Sequence, residues 1–386
     1  MSFQLGLIPR DGFFVKDGRG WTTSDLRRSR SAAWPAPSVC RGALRSAWGR
    51  RRLDMGHPVD WLHDTDHVRL QVVLPARWSA QGGVTLWWPC PADALLGVDG
   101  RWRTLSPGPP KFPWVGRRGT DAFTAALEGM WPARIEGGAE KLGPQPLWLE
   151  SAAFFGWLED TLPPRSDGQF RGPLDRRLEV RVALDSATGT ALDEMLYSLD
   201  IVETLDATGD SWGMAVIGTC ESPDLLRGPV HVGGKRRIGF LEGLPGESFH
   251  LPATLSARFS RGTEGLRVVT VTPVEFERGW LPDGFRPADD GGFVGTLFDG
   301  GPKLRLRSAI VGRPSEISGF DMARRRPKTT RRCVPPGSVY YFTREDGGAF
   351  DQTTAENLWL RQIGRATADG FGCVVPGAWE PREETR

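Results

Sequence analysis

The chain has 386 residues, with 49 basic against 47 acidic side chains and a net charge of +2. That length exceeds what one core usually fills, so two domains are expected; the near-balance excludes a histone-like polycation, and no apolar run approaches the roughly 18 residues of a membrane helix. The five cysteines (Cys40, Cys90, Cys220, Cys333, Cys373) form no C-x-x-C pair, which argues against a zinc ribbon or a disulfide framework and fits a reducing cytoplasm.

Six lysines accompany the arginines and Asn357 is the sole asparagine. Such a bias is genome-like, so where the arginines sit carries more information than how many there are. The start, MSFQLGLIPRDG, is too short and unflanked for a signal peptide. Phe3 to Ile8 reads as a first buried strand, broken by Pro9. PRDGFFVKDGRGW follows with two Asp-Gly turns, carrying Arg10, Lys16, Arg19 and Trp21. Cations hold phosphates and aromatic faces stack bases, so this mixture suits RNA; an ordinary surface loop has the same look.

The clearest helix runs through PSVCRGALRSAWGRRR, with Ser38 as a cap and Val39, Ala43, Leu44 and Ala47 as its core face. Arg41, Arg45 and Arg52 form a second stripe beside Trp48. No acid occurs between Asp25 and Asp54, although eight arginines do. A structural arginine face normally has acidic partners one helical turn away, so phosphate contact is the expectation here. HPVDWLHDTDH then gathers metal-ligand types, but without H-E-x-x-H or a third cluster it reads as a helix-to-strand loop.

Val68 to Leu74 and GVTLWWP read as strands, with a short helix beginning near Ala92. Residues 99–147 look long and irregular, and SAAFFGWLEDTL is a helical island. LEVRVALDSATGT, MLYSLDIVETL and WGMAVIGTC are strands of a meander or a projecting hairpin. HVGGKRRIGFLE places Gly233 and Gly234 just before Lys235, Arg236 and Arg237; a glycine pair lets a backbone approach a phosphate. The spacing is not that of a Walker A loop, so an NTPase is a poor reading.

A second unit begins after about residue 250, with strands LRVVTVTPVEF and RLRSAIVG. A basic tract follows (Arg324, Arg325, Arg326, Lys328, Arg331, Arg332), and no acid lies between Asp321 and Glu345. An unbroken cationic tract beside strands fits a polyanion track, or a basic loop without a ligand. VPPGSVYYF is a turn feeding a strand, TTAENLWLRQIG an amphipathic helix capped by Thr353 or Thr354, and ATADGFGCVVPGAW a glycine loop feeding a last strand. The predicted class is α+β: two ferredoxin-like (RRM-like) domains with long insertions and glycine-rich loops, over residues 1–250 and 251–386.

Several motifs in order, among them PAPSVCRGALRSAW, VALDSATGTALDEMLYSLDIVE, VGGKRRIGFLE, SGFDMARRRPKTTRRCVPPGSVYYF and ADGFGCVVPGAW, resemble the third Cmr subunit of type III-B CRISPR effector complexes, a RAMP-superfamily protein. The resemblance spans almost the whole chain, least around 99–147. It implies two ferredoxin-like domains and a non-catalytic, cytoplasmic role in antiviral defence, without cofactor or metal. The implied partners are the 5′ handle of the guide RNA, the large polymerase/cyclase-like signalling subunit, the first repeated RAMP backbone subunit and, indirectly, target RNA. Carried onto this sequence, the RNA-facing positions are Arg10, Lys16, Arg19, Arg41, Arg45, Gly233, Gly234, Lys235, Arg236, Arg324, Arg325, Arg326 and Lys328, and Gly370 and Gly372 match the family's glycine loop.

Two other readings stand beside it. A RAMP-type endoribonuclease cutting repeat RNA would use one of His57, His63, His67, His231 or His250, none in a recognisable constellation. A protein scaffold would use Trp87, Trp88, Trp102, Trp114 or Trp131 as anchors, against the expectation that most of these are buried in the core.

Overall fold

The computed structural model describes residues 1–16, 28–110, 122–135, 141–160, 169–244 and 249–381, apart from the side chains of 28, 193–195 and 236. Alternating apolar residues build two antiparallel sheets. The first orders its strands Gly228–Val232, Arg237–Gly243, Ser2–Pro9, Ser211–Thr219, Arg69–Trp78, Val84–Pro89, Trp148–Glu150 and Phe170–Arg171. The second orders Arg286–Pro287, Phe293–Gly295, Leu304–Ile310, Val339–Arg344, Gly265–Thr270, Cys373–Trp379 and Arg361–Gln362. Within each sheet four long strands stand fourth, first, third, second by order in the chain. Among the described residues there are five α-helices, and none is long and apolar enough to cross a membrane.

The helix Pro37–Asp54 begins two residues earlier than the Ser38 cap predicts. Ala36 is its N-cap without a side-chain bond, and Pro37 takes the first helical position, where a missing N–H costs nothing. Cys40, Ala43, Leu44, Ala47 and Trp48 bury against Leu5, Leu7 and Val216 on one face of the first sheet. The opposite face contributes Val72, Leu74 and Ala76 to a core that also contains Leu266, Val268 and Val375 of the second sheet. One apolar core therefore joins both sheets. Trp87, Trp88 and Trp102 are buried in it or beside it, which removes them as surface anchors, while Trp114 lies outside the described residues.

The stretch expected to be irregular holds Trp102–Pro107, Ala122–Glu128 and Ala133–Ile135, and a three-stranded sheet joins Ala94–Leu96 to its two strands. No helix starts near Ala92; a turn there hands Asp93 into the core and the strand Ala94–Leu96 follows. Strands of three residues are too short for periodicity to reveal. The last helix, Gln352–Leu358, is capped by Asp351, whose carboxylate accepts from the Thr354 amide at 2.9 Å, rather than by a threonine. Arg176–Leu184 and Ala191–Val202 do form a hairpin, in a three-stranded sheet with Arg28–Ser29. Its outer face leaves Leu178, Val180, Val182 and Leu184 exposed, with Leu196 opposite Val182.

Candidate nucleic-acid interface

Two clusters of cations stand at opposite ends of the first sheet. The first forms where Ser2–Pro9 ends and Arg237–Gly243 begins, and the Arg10 amide donates to the Ile238 carbonyl at 2.9 Å. Arg10, Asp11, Arg181, Lys235, Arg237 and Ile238 line a pocket of about 280 Å³. Four cations thus face one carboxylate in its lining. Arg237 is itself committed: its guanidinium donates to Asp11 Oδ2 at 2.9 Å and to Glu179 Oε1 at 2.5 Å. Burial opposes ionisation of Glu179, but hydrogen bonds from Arg181 and Arg237 outweigh it and hold its carboxyl below the ordinary glutamate range. Arg237 therefore belongs to the wall, anchored from behind by Glu179, and Arg10 and Lys235 are exposed upon it.

The glycine pair places that lysine, in a way the sequence reading missed. Gly233 has a φ of +67°, and a Cβ there would sit 2.5 Å from the Phe14 carbonyl oxygen. The Gly234 amide donates to the same oxygen at 2.7 Å. The close approach these glycines permit is to the protein's own chain rather than to a phosphate. Lys235 follows with a φ of +62°, which turns its ammonium onto the Tyr197 ring, 5.0 Å from the centroid. Lys16 pairs across a bridge with Ser31 nearby in sequence. Arg19, Trp21 and the Arg236 side chain lie outside the described residues.

The second cluster forms where Arg69–Trp78 begins, about eight strand residues away, or roughly 25 Å at about 3.3 Å per residue. Arg41 departs from its expected role. It is buried, and its guanidinium donates to Asp369 Oδ1 at 2.6 Å, Asp66 Oδ1 at 2.8 Å and the Val68 carbonyl at 2.7 Å. The acidic partners missing one turn away on the helix come from other parts of the chain, which is why spacing could not reveal them. Arg45 is half-buried, donating to Thr65 Oγ1 at 2.7 Å and the Trp61 carbonyl at 2.8 Å. Burial, then the neighbouring Arg41 charge, lowers its pKa.

Gly370 and Gly372 belong to this end, and both are buried. A Cβ on Gly370 would lie 3.0 Å from Pro37 and Leu70 side-chain carbons, so this loop is a packing device against the arginine helix. The basic tract forms an arm of two short ribbons, Ser315–Ile317 with Arg331–Cys333 and Phe320–Asp321 with Arg326–Pro327. Arg324 pairs with Asp321 at 3.0 Å and Arg331 with Glu275. Arg325, Arg326, Lys328 and Arg332 are exposed along the arm. The tip lies within electrostatic range of the helix-to-strand loop: the charge of Asp321 acts on Arg45, and that of Arg324 on His63. The arginine helix and the triple-arginine arm therefore lie toward one side of the molecule.

The Arg41 geometry sets an expected result. Arg41→Ala should lower folding stability by about 2–3 kcal/mol, because Asp369 and the Val68 carbonyl lose a charged donor in a buried site. Arg41 also holds the Asp66 carboxyl below the usual aspartate range by its hydrogen bond. Its contribution is therefore fully present above about pH 4, the ordinary aspartate pKa, and fades as pH falls further. Urea titrations of both proteins at pH 7 and pH 3 check the size and the direction; equal stability at pH 7 would contradict the assignment.

The histidines are not gathered. His63 pairs with Asp60 on the surface at 2.9 Å, and His67 packs against Trp48 with ring centroids 4.6 Å apart. Among the described residues no group of His, Cys, Asp and Glu could hold a metal ion. The thiols of Cys40 and Cys333 are pushed up to about 12, in both cases chiefly by burial.

A family model described as CRISPR-associated protein (Cas_Cmr3) matches residues 5–379. No curated protein matches the chain. Among solved structures it is similar to a chain of a cryo-EM structure of the type III-B Cmr-beta bound to cognate target RNA and AMPPnP, at 12% identity over 88% of this chain and 86% of that one, with a TM-score of 0.46. A second such structure, bound to cognate target RNA, matches at 12% identity over the same shares with a TM-score of 0.43.

Proposed function

The chain belongs to the Cas_Cmr3 family of CRISPR-associated proteins, and on that premise we propose that it is a non-catalytic subunit of a type III-B effector that holds the 5′ handle of the guide RNA. The observation that carries this reading is the cationic pocket of Arg10, Arg181, Lys235 and Arg237. Fixed cations on a rigid sheet end position a phosphate, while the arm offers a second row of exposed cations at the other end. The strand order fourth, first, third, second in each sheet supports two ferredoxin-like units divided near residue 250. The bare outer face of the hairpin Arg176–Val202 is the surface we assign to docking a neighbouring subunit, the large signalling subunit or the first backbone subunit. The nuclease alternative gains nothing from the scattered histidines.

The test is Arg10→Ala combined with Lys235→Ala. Fluorescence anisotropy with handle-sequence RNA should give at least a tenfold loss at moderate salt. The slope of log affinity against log salt should shrink by about 1 to 2, since each phosphate contact releases counterions. Unchanged affinity together with an unchanged slope would remove the pocket from the RNA path.

A further inference from the structure

The face of the first sheet turned away from the arginine helix carries an open apolar strip that runs into the cationic pocket. Backbone pairing sets Phe240 between Ile8 and Pro229. It likewise sets Ile238 between Arg10 and His231. Their sequence neighbours Leu7, Leu241, Val230 and Val232 bury under the helix, so alternation puts Ile8, Ile238 and Phe240 together on the other side. Further along that same face Val72, Leu74 and Ala76 are covered by the second sheet. The strip itself is not: Phe240 is 41% and Ile238 47% exposed. Beside Ile8 the indole of Trp78 lies over Gly6 and Gly213, where an added Cβ would come within 2.5 Å and 2.9 Å of its ring carbons. Ile238 is part of the pocket lining, next to Arg10 and Lys235.

Charge decides what this strip fits. An apolar peptide side chain would gain nothing from the cations crowded at one end of the strip. A single nucleic-acid strand uses both parts, a ring to stack on and cations for the adjoining phosphate. Phe240 lies two residues along the strand from Ile238, roughly 7 Å at about 3.3 Å per residue, so one nucleotide reaches both. We infer that Phe240, supported by Ile8 and Ile238, stacks one unpaired base of the RNA whose phosphate sits in the pocket. The inference rests on the RNA-binding reading and adds to it a base platform outside the glycine loops and the arm.

The experiment uses the full chain and short fluorescein-labelled single-stranded RNA, intact or with one abasic site moved through each position. Phe240→Ala should weaken binding of intact RNA about tenfold, within the range found for removal of one base–aromatic stack, and leave the salt slope unchanged. Phe240→Trp should restore it. At one abasic position the wild type and Phe240→Ala should bind alike, because the base that stacks is gone. If Phe240→Ala binds intact RNA as the wild type does while Arg10→Ala still lowers the salt slope, the platform is refuted and the pocket stands. If the wild type has no salt-dependent affinity for RNA, the platform and the RNA-binding reading fall together.

Discussion

Replacing Asp93 by alanine should destabilise the protein by about 3–5 kcal/mol, the usual cost of stripping the partner from a buried charge. Asp93 and Arg267 are both buried, and Arg267 Nη1 donates to Asp93 Oδ2 at 3.0 Å. The same oxygen accepts from the Tyr341 hydroxyl at 2.5 Å, and Oδ1 accepts from Trp157 Nε1 at 2.9 Å. Arg267 Nη2 donates to the Trp157 carbonyl. One carboxylate thus ties the turn before Ala94–Leu96 to the helix Ser151–Leu158 and to two central strands of the second sheet. Alanine would leave a guanidinium without its counter-charge, the Trp157 indole N–H without its acceptor, and the Tyr341 hydroxyl with only the Leu105 carbonyl at 3.3 Å. Replacing the pair together, Asp93→Leu with Arg267→Met, should recover most of the loss, since an apolar pair of similar volume leaves no unpaired charge. Guanidinium titrations followed by tryptophan fluorescence measure both; a loss under about 1 kcal/mol for Asp93→Ala would show that the network is solvated.

Gly372→Ala should cost more than about 3 kcal/mol. Gly372 has a φ of +81°, a conformation that costs an alanine about 1–2 kcal/mol before any contact is counted. An added Cβ would also stand 1.9 Å from the Ile363 carbonyl oxygen. That oxygen is backbone and is held in place: Gly372 donates to the Pro273 carbonyl at 2.9 Å and accepts from the Ile363 amide at 2.9 Å. The loop would have to move, and with it Asp369, the partner of Arg41. Gly347→Ala separates the two causes, because Gly347 has a φ of +71° with nothing within 4 Å of an added Cβ. It should lose only about 1–2 kcal/mol. Equal losses at the two sites, read from denaturant midpoints, would mean that the carbonyl contact relaxes freely.

Strands and helices were legible wherever a local pattern sufficed. Phe3 to Ile8, the arginine helix, SAAFFGWL and VYYF all lie where alternation, a proline start or an apolar run puts them. The roles of the arginines were not legible in the same way. The exposed arm cations came from sequence clustering, which solvent-facing charges obey; Arg10 and Lys235 stood out singly, in loops 225 residues apart, and only strand pairing brings them to one pocket. Arg41 looked unpaired because Asp66 and Asp369 reach it only through the tertiary fold, the second across 328 residues. The glycines at 233 and 234 suggested an approach to a phosphate, whereas the group they admit is the chain's own Phe14 carbonyl. Arg181 had no signal, since a hairpin strand with alternating charges reads as a solvated face until its base meets Asp11 and Arg237. Phe240 gave none either: a single aromatic in a strand looks the same whether covered or open.

The core joining both sheets has a consequence for synthesis on the ribosome. Val72, Leu74 and Ala76 are made early, yet the strands that cover them close only with Cys373–Trp379. That is roughly 300 residues later, about 15 to 60 s at ordinary translation rates. Throughout that interval an apolar sheet face is open to water in the nascent polypeptide, and Arg41 waits for an aspartate not yet translated. Chaperone demand and losses to aggregation should accordingly concentrate in the interval before Cys373–Trp379 docks.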